Sequence, residues 1–339
     1  MPGMGEINHT ISAIRAARTG ERLALIPLHG ELQPAEQDAA FAPNPLRKVV
    51  VSTNVAETSV TIDGILHVID SGLARVARYD AERGISTLFL EPISRASTDQ
   101  RKGRAGRTAP GTCHRLWTES GQLNRPERNT PEIQRSDLAE IVLLLHSLGI
   151  KRAADFDWLD KPDPQAVERA EKLLLMLGAL EKSSSSSPDG HGSDLTAIGR
   201  RMLRLPMHPR YSRMLIEAAQ RKCVRSAALC SALVSGRDLL TRVRRDEKHI
   251  SEARELFEAS QDSDFFTLIR AYEYARKSSF NFEACRRYGI NAQVARQVEQ
   301  TFDQIIGIAE REKLTTPAAP ETVAESVSDE DLQRCIMAG

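Results

Sequence analysis

Near residue 130 the apolar residues of this chain change their spacing, and with it the kind of structure they can form. Before that point, strand-length apolar runs alternate with helical ones. Ile7, Ile11 and Ile14 recur at i, i+4 and i+7, the spacing of one buried helix face. Leu23 to Leu28 is a short apolar strand, Pro34 to Phe41 a helix opened by proline, and Val49-Val50-Val51 a buried strand. Ile65 to Ile69 gives another strand. Val76 to Asp80 and Ile85 to Phe89, joined by Ala81-Glu82-Arg83-Gly84, read as a β-hairpin. A helix after Ser94 and a strand from Thr112 to Trp117 close the region. Such alternation predicts a mostly parallel sheet covered by helices.

Beyond residue 130 the strand signals all but stop. Glu132 to Leu148 carries Ile133, Leu138, Ile141, Val142 and Leu145 on one face, and Gln165 to Leu177 carries Val167, Ala170, Leu173, Leu174 and Leu177 before Gly178. Two helices followed by Ala179-Leu180-Glu181 and Asp194-Leu195-Thr196 read as a winged helix. The Ser183–Ser187 run and Pro188-Asp189-Gly190-His191-Gly192 between them have the composition of a hairpin tip in solvent. From Leu205 to about Glu312 a loose polar-apolar periodicity is all that shows, consistent with a packed helical bundle, and Thr315 to Asp331 is rich in Pro, Ala, Thr, Ser and acid, the composition of disorder.

The formal net charge is zero, so any contact with nucleic acid rests on a local patch. One exists: Ser94 to Arg128 holds eight Lys/Arg against three Asp/Glu. The five cysteines form no C-x-x-C pair and no metal-ligand spacing, and read as reduced, mostly buried thiols of a cytoplasmic protein. No apolar run of membrane-spanning length is present, so no membrane partner is expected.

Within the basic patch, Gln100-Arg101-Lys102-Gly103-Arg104-Ala105-Gly106-Arg107 fits Q-R-x-G-R-x-G-R, and Ser52-Thr53-Asn54-Val55-Ala56-Glu57-Thr58-Ser59-Val60-Thr61-Ile62-Asp63-Gly64 lies upstream. Together they resemble motifs VI and V of DEAH-box RNA helicases, in a version similar to the bacterial HrpA/HrpB type. The resemblance implies an α/β RecA-like helicase C-terminal domain over 1–128, incomplete at its N-terminus. A winged-helix domain over 129–205 with its insertion at 183–193, a helical ratchet-like domain over 206–312 and a disordered or truncated tail over 313–339 would follow.

The same resemblance implies roles. Arg104 and Arg107 would be fingers reaching the γ-phosphate of ATP, because arginine is always charged and presents a planar fork to phosphate oxygens. Gln100 would orient the attacking water, and Gly103 and Gly106 would keep the surface bare for the phosphates. The alternative is a basic helix making surface ion pairs. Thr53 and Asn54 would bond the RNA backbone, with Arg101 on the same strand, and RNA is the expected partner with DNA as the other option. Glu57, Thr58 and Ser59 would link that strand to the nucleotide. Asp63 would sit near the ribose or simply form an Asp-Gly turn. Phe41 would stack on adenine or cap a buried helix end. Gly3, in a turn that resembles motif IV, would meet the nucleic-acid backbone, and the Val76–Phe89 hairpin would split duplex or only lengthen the sheet edge.

ATP hydrolysis needs a P-loop for the phosphates and Mg²⁺, and no Gly-Lys dipeptide occurs here. Asp246-Glu247-Lys248-His249 spells D-E-x-H but follows Val243-Arg244-Arg245, not an apolar strand, and reads as a solvated charge run. ATP with Mg²⁺ is therefore expected to bind jointly with a P-loop RecA-like domain supplied in cis or in trans, Met1 being internal to a longer product. The chain would then be one part of a nucleoside-triphosphate hydrolase. The competing expectation is a nucleic-acid- or partner-binding module without turnover.

Overall fold

The computed structural model describes residues 1–17, 20–30, 32–57, 61–80, 84–182, 193–241, 248–257, 263–315 and 329–339. Thr58 and Ser59, the hairpin residues Ala81 to Arg83, the Ser-rich insertion up to Gly192, Asp246-Glu247 and the 316–328 stretch of the tail lie outside them. The chain divides into two compact units, 1–137 with 159–162, and 138–158 with 163–339.

The first unit opens with α1 (Met4–Ala16), whose Ile7 and Ile11 bury against Val51 with Leu25 and Val49 alongside. Strand β1 (Leu23–Leu28) pairs in parallel with β2 (Arg47–Ser52), in the register Ile26 to Val50. Between them α2 (Pro34–Asp38) is held by a reciprocal cap of Gln33 and Glu36. On the other face of this strand pair, Ile26, Leu28 and Ala40 pack with Val50, Val55 and Ile62. Strand β3 (His67–Asp70) pairs in parallel with β6 (Thr112–Arg115). The hairpin is β4 (Leu73–Asp80) antiparallel to β5 (Ile85–Pro92), with Val76 opposite Phe89 and Gly84 at a φ of 67° where the turn needs a left-handed residue. Helix α3 (Arg95–Ala105) and the short α4 (Glu119–Leu123) complete the unit. The parallel pairings follow the sequence expectation. Among the described residues the strands of this unit pair as three two-stranded sheets.

The helix expected from Glu132 to Leu148 is interrupted. A single 3₁₀ turn spans Glu132–Gln134, and α5 starts only at Ala139 and ends at Ser147. Strand β4 explains the break: the Arg135 carbonyl accepts from Tyr79 N–H at 2.8 Å and its guanidinium donates to the Ala77 carbonyl at 2.9 Å. The sheet edge thus captures backbone that a helix would have used internally. Ile141 is consequently exposed, while Leu138, Val142, Leu143 and Leu145 carry the buried face.

In the second unit α6 (Pro164–Met176) starts at an Asp163 cap followed by proline, and strands β7 (Leu180–Lys182) and β8 (Ser193–Leu195) form the hairpin flanking the insertion. Helix α7 (Ala197–Met202) starts at Thr196 and α8 (Pro209–Gln220) at His208. Helix α9 (Val224–Val234) lies at the centre of the bundle, its alanines letting α13 (Ala292–Arg311) lie along it through Ala295, Val298, Phe302 and Ile305. Helices α10 (Lys248–Arg254), α11 (Asp264–Lys277) and α12 (Phe282–Arg287) surround them. Beyond the acid-rich stretch the tail is helical: α14 (Asp329–Ala338) docks on α8 with Leu332 and Cys335 buried. Two apolar side chains three positions apart give the acidic segment a face to bury.

Candidate active site

Helix α3 buries almost nothing apolar. Its inward residues are Ser97, Thr98 and Ala105, and a polar net replaces hydrophobic contact. The Ser94 hydroxyl caps the helix by accepting from Ser97 N–H at 3.2 Å, and Asn129 donates to the Ser97 hydroxyl at 3.1 Å. Thr98 Oγ1 donates to the Arg95 carbonyl and accepts from Gln122 and Arg115, the latter also pairing with Asp99 at 3.0 Å. Directional bonds of this kind fix the rotation of the helix about its axis, and hence the heading of each arginine on it.

Arg101 points inward. Its Nε donates to Glu57 at 2.9 Å, and its Nη1 donates to Asp70 at 2.8 Å and to the Leu73 carbonyl at 3.3 Å. Arg101 and Glu57 are each 11% exposed and Asp70 only 1%. Asp70 also accepts from Gly72 N–H, where φ is 70° and a Cβ would overlap the Arg125 guanidinium and the Trp117 ring. Arg125 in turn donates to the Gly72 and Ile93 carbonyls and lies 4.2 Å from the Trp117 ring centroid. Arg104 donates to the Glu57 carbonyl, and its desolvation, with Arg107 beside it, lowers its pKa despite the opposing pull of Glu57. Arg107 is exposed and reaches Thr61 Oγ1 at 3.2 Å. A Cβ on Gly103 or Gly106 would meet nothing within 4 Å, so packing inside the chain does not require either glycine.

Thr53 starts the 3₁₀ turn Asn54–Ala56 and extends the β1 pairing through its N–H to the Leu28 carbonyl, with Asn54 exposed beside it. Gln100 and Lys102 are exposed on α3, and Asp63 is exposed before Gly64 at a φ of 78°. Phe41, in the turn after α2, is 41% exposed while Ala40 next to it is buried. Two residues depart from expectation. Arg101, expected on nucleic acid, is turned into the carboxylates of Glu57 and Asp70. Gly3, expected to meet the same backbone, is buried beneath the Arg75–Glu6 ion pair of 3.1 Å. Among the described residues no group of three His, Cys, Asp or Glu gathers to hold a metal ion, and no described helix is long and apolar enough to cross a membrane.

Residues 7–109 match the helicase conserved C-terminal domain, 170–207 the winged-helix part of the helicase-associated domain HA2, and 208–268 its ratchet-like part. The chain is 34% identical over 311 residues to the ATP-dependent RNA helicase HrpA of Escherichia coli K12, covering 90% of this chain and 24% of that protein. It is likewise 34% identical over 312 residues to the HrpA homolog of Haemophilus influenzae, with the same shares. Over 90% of its length the chain is thus similar to a region of HrpA-type RNA helicases that carries a helicase C-terminal domain followed by HA2. It spans about a quarter of the length of these HrpA relatives, and its matched domains run in the order helicase C-terminal domain, winged helix, ratchet.

Asp70, Arg125, Trp117 and Thr98 were not singled out in the sequence, although they hold α3 and its arginines in place. The signal for Asp70 was an acid at the end of an apolar strand followed by Ser71-Gly72. For the α3 net it was the lack of any apolar stripe from Arg95 to Ala105 in a helix that must nevertheless dock.

Proposed function

We propose that this chain forms the arginine-bearing face of an ATP-driven RNA helicase, acting with a P-loop domain that holds the Mg²⁺-bound triphosphate. One observation carries the reading: a single run of arginines is divided by use. Arg101 is bound by two carboxylates, whereas Arg104 donates to the Glu57 carbonyl and Arg107, just past the end of α3, to Thr61 Oγ1, both next to glycines that internal packing does not need. An arginine pair bordering bare backbone suits an incoming polyphosphate, because the phosphates can approach closely and each guanidinium presents a planar fork to their oxygens.

In this reading Arg104 and Arg107 stabilise the charge that develops on the transferring phosphoryl group, and Gln100 orients the water. Phe41 stacks on the adenine ring without reading its edge, and Asp63 lies near the ribose. Thr53 and Asn54 contact phosphates and sugars of the RNA, and the β4–β5 hairpin, with Leu88, Phe89 and Leu90 exposed, parts the strands as RNA is drawn past. Gly3 and Arg101 are left out of the RNA-binding set because their surroundings cover them.

The test is RNA-stimulated phosphate release by the chain joined to a matching P-loop domain. Arg104→Ala and Arg107→Ala should each lower turnover by about a thousandfold or more, the scale of finger contributions, and Lys102→Ala should have little effect. The chain alone should release no phosphate. Equal small losses at all three positions would mean that the run is only a basic surface and would favour a binding module without turnover.

A further inference from the structure

The HrpA-like comparisons assign nothing to the cysteines, yet two of them meet across the helical bundle. Cys223 stands at the turn from α8 into α9 and Cys335 on α14, 112 positions later, with their sulfurs 3.4 Å apart and both side chains buried. We propose that Cys223 and Cys335 form an oxidisable dithiol that fastens α14 to the ratchet bundle, with a hydroperoxide as the oxidant.

Three observations support this beyond proximity. First, the pair is aligned by its neighbours. Asp331, one turn before Cys335, pairs with Arg221, two residues before Cys223, at 3.1 Å, and Arg210 donates to the Gly339 carbonyl at 3.0 Å. The helix is thus pinned on both sides of the sulfurs, and a disulfide needs an approach of only about 1.4 Å. Second, the two thiols are unequal. Cys223 occupies the N-cap position of α9, where the helix dipole favours an anion. The hydrogen bond from Cys335 lowers its pKa and raises that of Cys335. Third, the neighbouring Cys230 does not compete, because burial pushes its thiol up to about 12.

The chemistry balances without a further reagent. The Cys223 thiolate attacks the O–O bond of hydrogen peroxide, giving a sulfenic acid and hydroxide, which takes up the proton released on ionisation to become water. Cys335 then attacks the sulfenic sulfur and a second water leaves, its oxygen from Cys223 and its hydrogens from the sulfenic O–H and the Cys335 thiol. Two thiols are oxidised by two electrons and one peroxide is reduced to two waters. Exchange with a small thiol reverses the bond.

The experiment treats the 339-residue chain with stoichiometric hydrogen peroxide, then denatures and alkylates it for mass spectrometry. Two of the five thiols should escape alkylation, a Cys223–Cys335 cross-linked peptide should appear, and dithiothreitol should restore both thiols. Amide hydrogen exchange in α14 should slow by about tenfold or more. Cys335→Ser should trap Cys223 as a dimedone adduct, while Cys223→Ser should leave Cys335 unlabelled. Five alkylated thiols, a cross-link between another pair, or unchanged α14 exchange in the cross-linked chain would each overturn the proposal. The wild-type readouts stand even if a variant fails to fold.

Discussion

Replacing Arg101 with methionine should unfold the first unit far more readily than an ordinary surface change would. The side chain is 11% exposed and satisfies Glu57, Asp70 and the Leu73 carbonyl together. Its removal leaves two carboxylates in a desolvated site without their counter-ion, a situation that costs about 3–5 kcal/mol. With a urea dependence of about 2 kcal/mol per molar, the midpoint should fall by about 2 M. Asp70→Asn keeps an acceptor for Gly72 N–H and loses only the charge, so it should cost about 1.5–3 kcal/mol. The double variant should cost less than the sum of the two, because they share one interaction. The assay is urea unfolding followed by Trp117, which packs on Arg125 in the same unit, in a Trp158→Phe background. A shift below about 0.5 M, the scale of a solvated pair, or strict additivity, would refute the claim that this triad holds α3 in place.

Three further outcomes follow from other parts of the structure. Gly72→Ala should destabilise the same unit by about 3 kcal/mol or more, since it adds left-handed strain to a clash with Arg125 and Trp117, and a wild-type Trp117 spectrum and midpoint would contradict this. His146 is buried, and burial lowers its pKa against the opposing effects of Glu171 and the Ser193 carbonyl. The unfolded state therefore takes up the proton first, so stability of the second unit is full above about pH 6.5 and declines as pH falls through that value toward the folded pKa. His146→Gln should flatten that decline in a pH series of unfolding midpoints, and an unaltered slope would place the titration elsewhere. RNA binding by the chain should be weak, indifferent to sequence and steeply salt-dependent, because the basic segment has only phosphates and sugars to hold. A titration at two salt concentrations with two unrelated sequences would contradict this if it showed salt-independent selectivity.

Much of the fold was legible because it rests on local signals. Periodicity located α1, β1, β2 and the hairpin, and the Asp163-Pro164 and His208-Pro209 pairs mark starts that the structure uses as caps. What was not legible depends on partners distant in sequence. Arg135 leaves its helix because β4 is unpaired on that edge, and nothing within 132–148 announces it. Gly3 reads as an open turn until Arg75, supplied by β4, covers it. The local sequence at Asp70 does not announce its pairing, because its partner Arg101 lies 31 positions away.

The arginine run shows how evenly spaced residues of one motif come to lie in different surroundings. Successive arginines stand three residues apart, and a three-residue step advances an α-helix by about 300°, so each lies about 60° around from the last. The inward face of α3 is set by Ser97, Thr98 and Ala105, and Arg101 falls on that face, where Glu57 and Asp70 take it. Arg104 is rotated to the border, half-buried against the Glu57 carbonyl, and Arg107 falls beyond the last helical residue and is exposed. The identical spacing that makes the run recognisable is therefore what gives its arginines three different environments. A one-residue alanine insertion between Arg101 and Arg104 would rotate Arg104 by about 100° and displace Arg107 with it while leaving the charge intact. In the joined helicase it should abolish turnover as completely as losing both guanidinium groups, and retention of activity would show that the heading set by the polar net under α3 does not matter.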